Sequence, residues 1–292
     1  MHRTLVALAA LFIASLPAQA FRTPKHGAET ETLAKKLGYD STCAKVLNKG
    51  NRETDGEDKK LPQLALFKGT PAAPIDAKGR PTHLFDYPPA HFDSETFALG
   101  SRRLRHTFTL VFQQLEKGNR ENALWLMGSS LHSIQDFFSH SNFIELGRKS
   151  IDLYALSDPL PSLICRPGQK PNALTSGYWP DNAPVKNKCH HKDLNKDSTE
   201  HPLHAKAFKR AIEESTRFFA KVEAEVKRRY PSGAADVIRF LKNSKAKAPD
   251  FQLAAQKANP ALEKCMNAAP KPVPGSTMHS KRKKMCLQAH AR

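Results

Sequence analysis

Residues Leu126–Leu146 read "LMGSSLHSIQDFFSHSNFIEL" and carry His132, Asp136 and His140 at successive four-residue steps, separated only by apolar and small residues. Positions four apart share one face of a helix, so the stretch predicts a helix with all three polar groups along one inner seam. Burying them among Leu131, Ile134, Phe137 and Phe138 without partners would cost several kcal/mol, so something must satisfy them. Imidazole nitrogens and carboxylates are ligands that zinc accepts. The other reading is a set of polar side chains satisfied by one another.

Outward from this helix, expected from about Glu121 to Ser139, helical periodicity dominates. Upstream, Phe97, Leu104, Thr107, Phe108, Val111, Phe112 and Leu115 form an apolar stripe over Ser94–Glu116 that stops at "KGN". Nearer the N-terminus, Leu33, Ala34 and Leu37 predict a short helix ended by Gly38, followed by a Pro- and Gly-rich connector from Leu61 to Pro89. Downstream comes an irregular section, Asp158–Glu200. A long helix is then expected from His201 to Tyr230, with Pro202 in its first turn, and a shorter one within Gly233–Asn243. No run alternates as strands do, so the predicted class is all-α. Beyond Ala246 the chain is rich in Pro and Lys, and residues 246–292 read as a basic extension of the helical domain, residues 21–245.

The first twenty residues combine a basic start (His2, Arg3), an apolar run from Leu5 to Leu16 and small residues at Ala18 and Ala20. This is the pattern of a secretory signal cleaved after Ala20; the apolar run falls short of the roughly 20 residues that span a bilayer. The expected location is therefore periplasmic or extracellular, where disulfides persist. Five cysteines leave at least one thiol unpaired within the chain, and the favoured pairs are Cys165 with Cys189 and Cys265 with Cys286. A formal charge of +18 favours anionic partners, either a phospholipid surface or nucleic acid, unless it serves only solubility. No glycine-rich phosphate loop, Gly-x-Ser-x-Gly elbow or His-Glu-x-x-His helix is present, and nothing calls for an organic cofactor. His190 and His191 follow Cys189 in a loop with no second spaced pair, so they are not expected to bind metal.

The tract "EKGNRENALWLMGSSLHSIQDFFSHSNFIEL" resembles the central motif of the Het-C proteins and is similar to the corresponding helix pair of bacterial zinc-dependent phospholipases C. "KHGAETETL", "GNRETD", "HFDSETF" and "DLNKDSTEHPLHAKAFKRAIEESTRFF" resemble further elements of that superfamily, in the same order. The resemblance implies a helical domain around as many as three zinc ions. It assigns metal binding to the mature N-terminus at Phe21 and to His26, Asp55, His91, His132, Asp136 and His140. His204, preferred over His201, is the expected later ligand, and Glu145 either replaces a missing carboxylate or supports the ligands. By the same resemblance Asp55 is the general base for a zinc-activated water, which implies a secreted phospholipase C-like hydrolase. Its alternatives are a nuclease of the same superfamily and a Het-C-like protein that binds a membrane or partner without turnover.

Overall fold

A computed structural model describes residues 23–56, 62–70, 72–75, 82–159, 165, 172–181 and 185–258. The predicted signal, Phe21 and the Cys265–Cys286 pair lie outside them. The described chain is mostly helical and holds no strand, in agreement with the all-α expectation; extended pairing is confined to isolated bridges such as Ser141 with Ser176 and Tyr178 with His190. The helices are α1 (Thr23–Lys36), α2 (Ser41–Thr54), α3 (Phe97–Glu116), α4 (Arg120–His140), α5 (His191–Leu194), α6 (His204–Arg229), α7 (Ala234–Lys242) and α8 (Phe251–Ala258). None is long and apolar enough to cross a membrane.

The decisive stretch belongs to α4, which is buried without interruption from Ala123 to His140. It starts where Asn119 accepts a hydrogen bond from the Asn122 amide, 3.2 Å away, one residue beyond the left-handed Gly118. Helices α2, α3 and α6 pack around it. Phe137 anchors the packing at its C-terminal half, with the rings of Phe92, Phe97, Phe138 and Phe143 at 5.5, 6.0, 5.1 and 5.7 Å.

Helix α2 had no counterpart in the expected pattern. Its buried face is Cys43, Ala44, Leu47, Gly50, Asn51 and Thr54, small and partly polar rather than greasy. Two glycines explain the choice. A Cβ on Gly50 would stand 2.1 Å from the Trp125 carbonyl oxygen, and one on Gly128 would stand 2.2 Å from that of Leu47. Backbone thus lies on backbone where α2 crosses α4, and any side chain there would push the helices apart. Asp40 caps α2 by accepting from the Cys43 amide at 2.8 Å.

Other boundaries moved for local reasons. Helix α3 starts at Phe97 rather than Ser94, because Phe92, Ser94 and Glu95 all take positive φ in a tight loop. Helix α6 starts at His204, so Pro202 precedes the helix instead of occupying its first turn. Cys165 and Cys189 form a disulfide, as favoured, while Cys43 is free and buried. Past Ala246, Phe251 packs its ring 5.6 Å from Tyr230 and 6.1 Å from Phe240.

Candidate metal centre

Helices α1 and α2, the loop of His91 and Asp93, α5 and the segment before α6 deliver polar side chains to one side of α4. The crossing at Gly50 and Gly128 brings the end of α2 beside His132, and Asp55, the residue that closes α2, points its carboxylate there: Oδ1 lies 3.2 Å from His132 Nε2 and 3.7 Å from His91 Nδ1. His91 Nε2 lies 3.0 Å from the Leu84 carbonyl oxygen, to which it donates in the neutral ring, and this leaves the Nδ1 lone pair facing inward. Asp136 Oδ2 is 2.7 Å from both His91 Nδ1 and His132 Nε2, and those two nitrogens are 3.2 Å apart. Asp55, His91, His132 and Asp136 therefore form one group of converging donors.

One helical turn further on, His140 turns Nδ1 toward Asp93 Oδ1 at 3.2 Å and Nε2 toward Asp197 Oδ2, also at 3.2 Å. His191 joins from the other side, its Nε2 3.8 Å from Asp93 Oδ2 and its ring centroid 4.3 Å from that of His140. Asp93, His140 and His191 form the second group. Asp93 Oδ1 and His140 Nδ1 are both buried, and neither makes a hydrogen bond despite their proximity.

His26 sits between the two groups. Its Nδ1 is 3.1 Å from Gln135 Oε1, which also accepts from the Asn51 amide at 3.1 Å. Its Nε2 is 3.7 Å from Asp136 Oδ1 and 3.7 Å from Asp197 Oδ1. Asp136 thus offers one oxygen to the first group and the other to His26.

The titratable side chains of the two groups other than His132, with His26 and Asp197, line a cavity of about 140 Å³, with Phe85 and Trp179 as apolar walls, their rings 5.5 Å apart and edge to face. Its floor is dominated by charge. Burial alone would lower the pKa of His132, yet Asp136 and Asp55 outweigh it and raise the imidazole to about 10. Burial would likewise lower His140, but Asp93, Asp136 and Asp197 hold it well above the usual histidine range. Asp55, which burial would raise, is brought down to about 2 by His132, and Asp136 is held well below the ordinary carboxylate value by His132 and His140. Burial and the neighbouring His140 push His191 down. Taken alone, the polypeptide answers the carboxylates with protons on His132 and His140; a divalent cation would do so with more charge and the same lone pairs.

The chain brings His26, Asp55, His91, His132, Asp136 and His140 together at this centre. His204, His201 and Glu145 are elsewhere. His204 Nδ1 is 2.7 Å from the Lys196 carbonyl oxygen, Glu145 pairs with the Lys196 ammonium at 3.0 Å, and His201 Nδ1 accepts from the Leu203 amide at 3.1 Å; none of the three belongs to either group. Asp197, on the segment before α6, occupies the place expected of His204. Asp93 and His191 are further additions, and His191 corrects the expectation that its loop stays clear of the site. "HFD" and "NKD" contained both aspartates, but their loops gave no spacing from which to single them out.

Residues 79–163 match the family described as the VWA7 N-terminal domain, a segment that contains His91, Asp93, His132, Asp136 and His140. The chain is 30% identical over 204 residues to von Willebrand factor A domain-containing protein 7 of Rattus norvegicus, and 29% identical over 203 residues to that of Homo sapiens. In both cases the match covers 57% of this chain. The Mus musculus protein is 29% identical over 177 residues, covering 48% of the chain. This chain spans only about a fifth of the length of these relatives, 22%, 22% and 20% respectively. No solved structure matches.

These relatives correct the resemblance drawn from the motifs. The chain is similar to VWA7 proteins and not to Het-C proteins or phospholipases C, so the phospholipase reading falls, as do its nuclease and Het-C-like alternatives and the catalytic role given to Asp55. The physical reason is that His and Asp at four-residue steps on a buried helix answer a chemical demand, that of gathering donors on one face. Such spacing records what a helix can hold more faithfully than whom it descends from.

Proposed function

We propose that this chain is a metal-binding domain in which the buried His and Asp cluster holds zinc, with places for up to three ions. The observation that carries the reading is Asp136 Oδ2, 2.7 Å from each of two imidazole nitrogens that are themselves 3.2 Å apart. Three lone-pair donors crowd one buried point. Protons can satisfy them only by charging a histidine against the cost of burial, whereas a cation satisfies all three at once. Mixed nitrogen and oxygen donors suit zinc, while calcium and magnesium prefer shells of oxygen.

Asp55, His91, His132 and Asp136 would hold one ion, and Asp93, His140 and His191 a second. His26 with the remaining oxygens of Asp136 and Asp197 offers a third. Such ions would supply positive charge that ties α1, α2 and α4 to the loops bearing Asp93, His191 and Asp197, so binding energy would become folding energy. The Cys165–Cys189 disulfide supports export to an oxidising compartment.

Elemental analysis of the purified protein, paired with thermal unfolding before and after chelation, tests the proposal. Two or more zinc ions per chain and a melting temperature that falls on chelation are expected. Less than one ion per chain, with melting indifferent to chelator, would overturn it.

A further inference from the structure

We propose that Lys196, which touches no donor group of the metal centre through its side chain, is the positioning residue that assembles the His140 end of that centre. The inference rests on the metal-binding reading and goes beyond it, because it makes ion binding at that end conditional on a buried charge outside the ligand set.

A lysine with no exposed surface is expensive unless its ammonium is fully occupied. Here Nζ lies 3.0 Å from Glu145 Oε1 and donates to the carbonyl oxygens of Leu194 at 2.7 Å, Ser141 at 2.8 Å and Ser139 at 3.3 Å. Ser139 and Ser141 flank His140. They stand at the C-terminal end of α4, where carbonyls have run out of helical partners and the helix dipole is negative, so a cation is doubly favoured. The main chain of Lys196 repeats the tie: its amide donates to the Ser139 carbonyl at 3.1 Å, and its carbonyl lies 2.7 Å from His204 Nδ1 at the start of α6.

What this clamp holds in place is Asp197, the next residue. The Asn195 side chain accepts from the Asp197 amide at 2.7 Å, the Ser139 hydroxyl donates to Asp197 Oδ1, and Oδ2 is left 3.2 Å from His140 Nε2. The tripeptide "NKD" thus divides its work. Asn195 turns the chain, Lys196 fastens it to the end of α4, and Asp197 fixes the ring of His140, whose opposite nitrogen faces Asp93 in the second group. No such contact reaches Asp55, His91 or His132.

The test compares the zinc-loaded full chain with the double variant Lys196→Met, Glu145→Gln, which removes both charges and leaves neither unpaired. Zinc affinities are read by competition with a chromophoric chelator, and cobalt substitution reports the ligand field of each occupied group. The variant is expected to keep the ion of Asp55, His91, His132 and Asp136 and to bind the ion of Asp93, His140 and His191, and any ion held by His26 with Asp197, at least tenfold more weakly. Equal weakening of every ion would mark Lys196 as a general fold stabiliser and overturn the proposal, as would a variant with all affinities unchanged. Should the double variant fail to fold, Glu145→Gln alone is expected to weaken binding at the same end and not at the Asp55 group, and an unchanged profile there overturns the proposal. A wild-type protein without bound ions would overturn the metal-binding reading itself; a wild type with ions and a variant that keeps them all would overturn the role of Lys196 alone.

Discussion

The two ends of the cluster are built differently. At the Asp55 end, most of the donors ride on or cap helices whose crossing is set by backbone contact at Gly50 and Gly128, so their positions are consequences of rigid packing. At the His140 end, only His140 rides on a long helix, His191 merely opening the four-residue α5. Asp93 sits between positive-φ residues, a loop held by Ser94 donating to the Gly177 carbonyl at 2.7 Å and Glu95 to the Ser176 hydroxyl at 2.9 Å. His191 follows Cys189 of the disulfide by two residues, and Glu95 accepts from Lys188 at 2.6 Å. One end is thus an outcome of the core. The other is an assembly of loops whose geometry can be changed without disturbing the core, which makes it the natural place for affinity to be adjusted.

The largest expected effect removes one side of the comparison. Asp136 gives one oxygen to the first group and the other to His26, so Asp136→Asn should leave only the ion of Asp93, His140 and His191, measured by elemental analysis; retention of a full complement would remove Asp136 from the centre. Next, Gly128→Ala should strike the packed end, because its Cβ has nowhere to go but into the Leu47 carbonyl. A destabilisation of about 1–3 kcal/mol in chemical unfolding is expected, with weaker zinc binding at the Asp55 group than at the His140 group.

Titration sharpens the contrast between metal-free and loaded protein. In the metal-free chain His132 is raised to about 10, so its contribution to stability is complete below its unfolded pKa of about 6.5 and is lost as pH rises toward 10. In the loaded chain the ligand must be deprotonated, so zinc binding strengthens over the rising limb. Unfolding midpoints measured across this window should fall with pH without zinc and hold or rise with it; parallel curves would contradict the assignment of His132. The smallest effect expected is that of Cys189→Ser, which frees the loop of His191 and should weaken the second ion about tenfold, or about 1.4 kcal/mol, leaving the first untouched in the same chelator competition.

Much of this was legible in the sequence, for a physical reason. Helix α4 is buried from Ala123 to His140, so its ionisable residues needed partners inside the protein, and four-residue steps put His132, Asp136 and His140 on one side. Helix α2 was not legible. Its contact with α4 relies on Gly50, Asn51 and Thr54, and a surface designed for backbone approach leaves no hydrophobic stripe. Asp93 and Asp197 escaped because irregular backbone, not periodicity, aims them, and His191 because a disulfide and a single extended bridge bring a distant loop to the helix end. The family assignment failed for the complementary reason: donor spacing was read as ancestry.

The central claim is that these nitrogens and oxygens converge on cations rather than on one another's protons. Anomalous X-ray diffraction at the zinc edge, from crystals of protein purified without chelator, tests it most directly. The account predicts separate peaks, one within reach of Asp55, His91, His132 and Asp136 and another within reach of Asp93, His140 and His191. A map with no anomalous density there, and histidines hydrogen-bonded to the aspartates through protons alone, would contradict it.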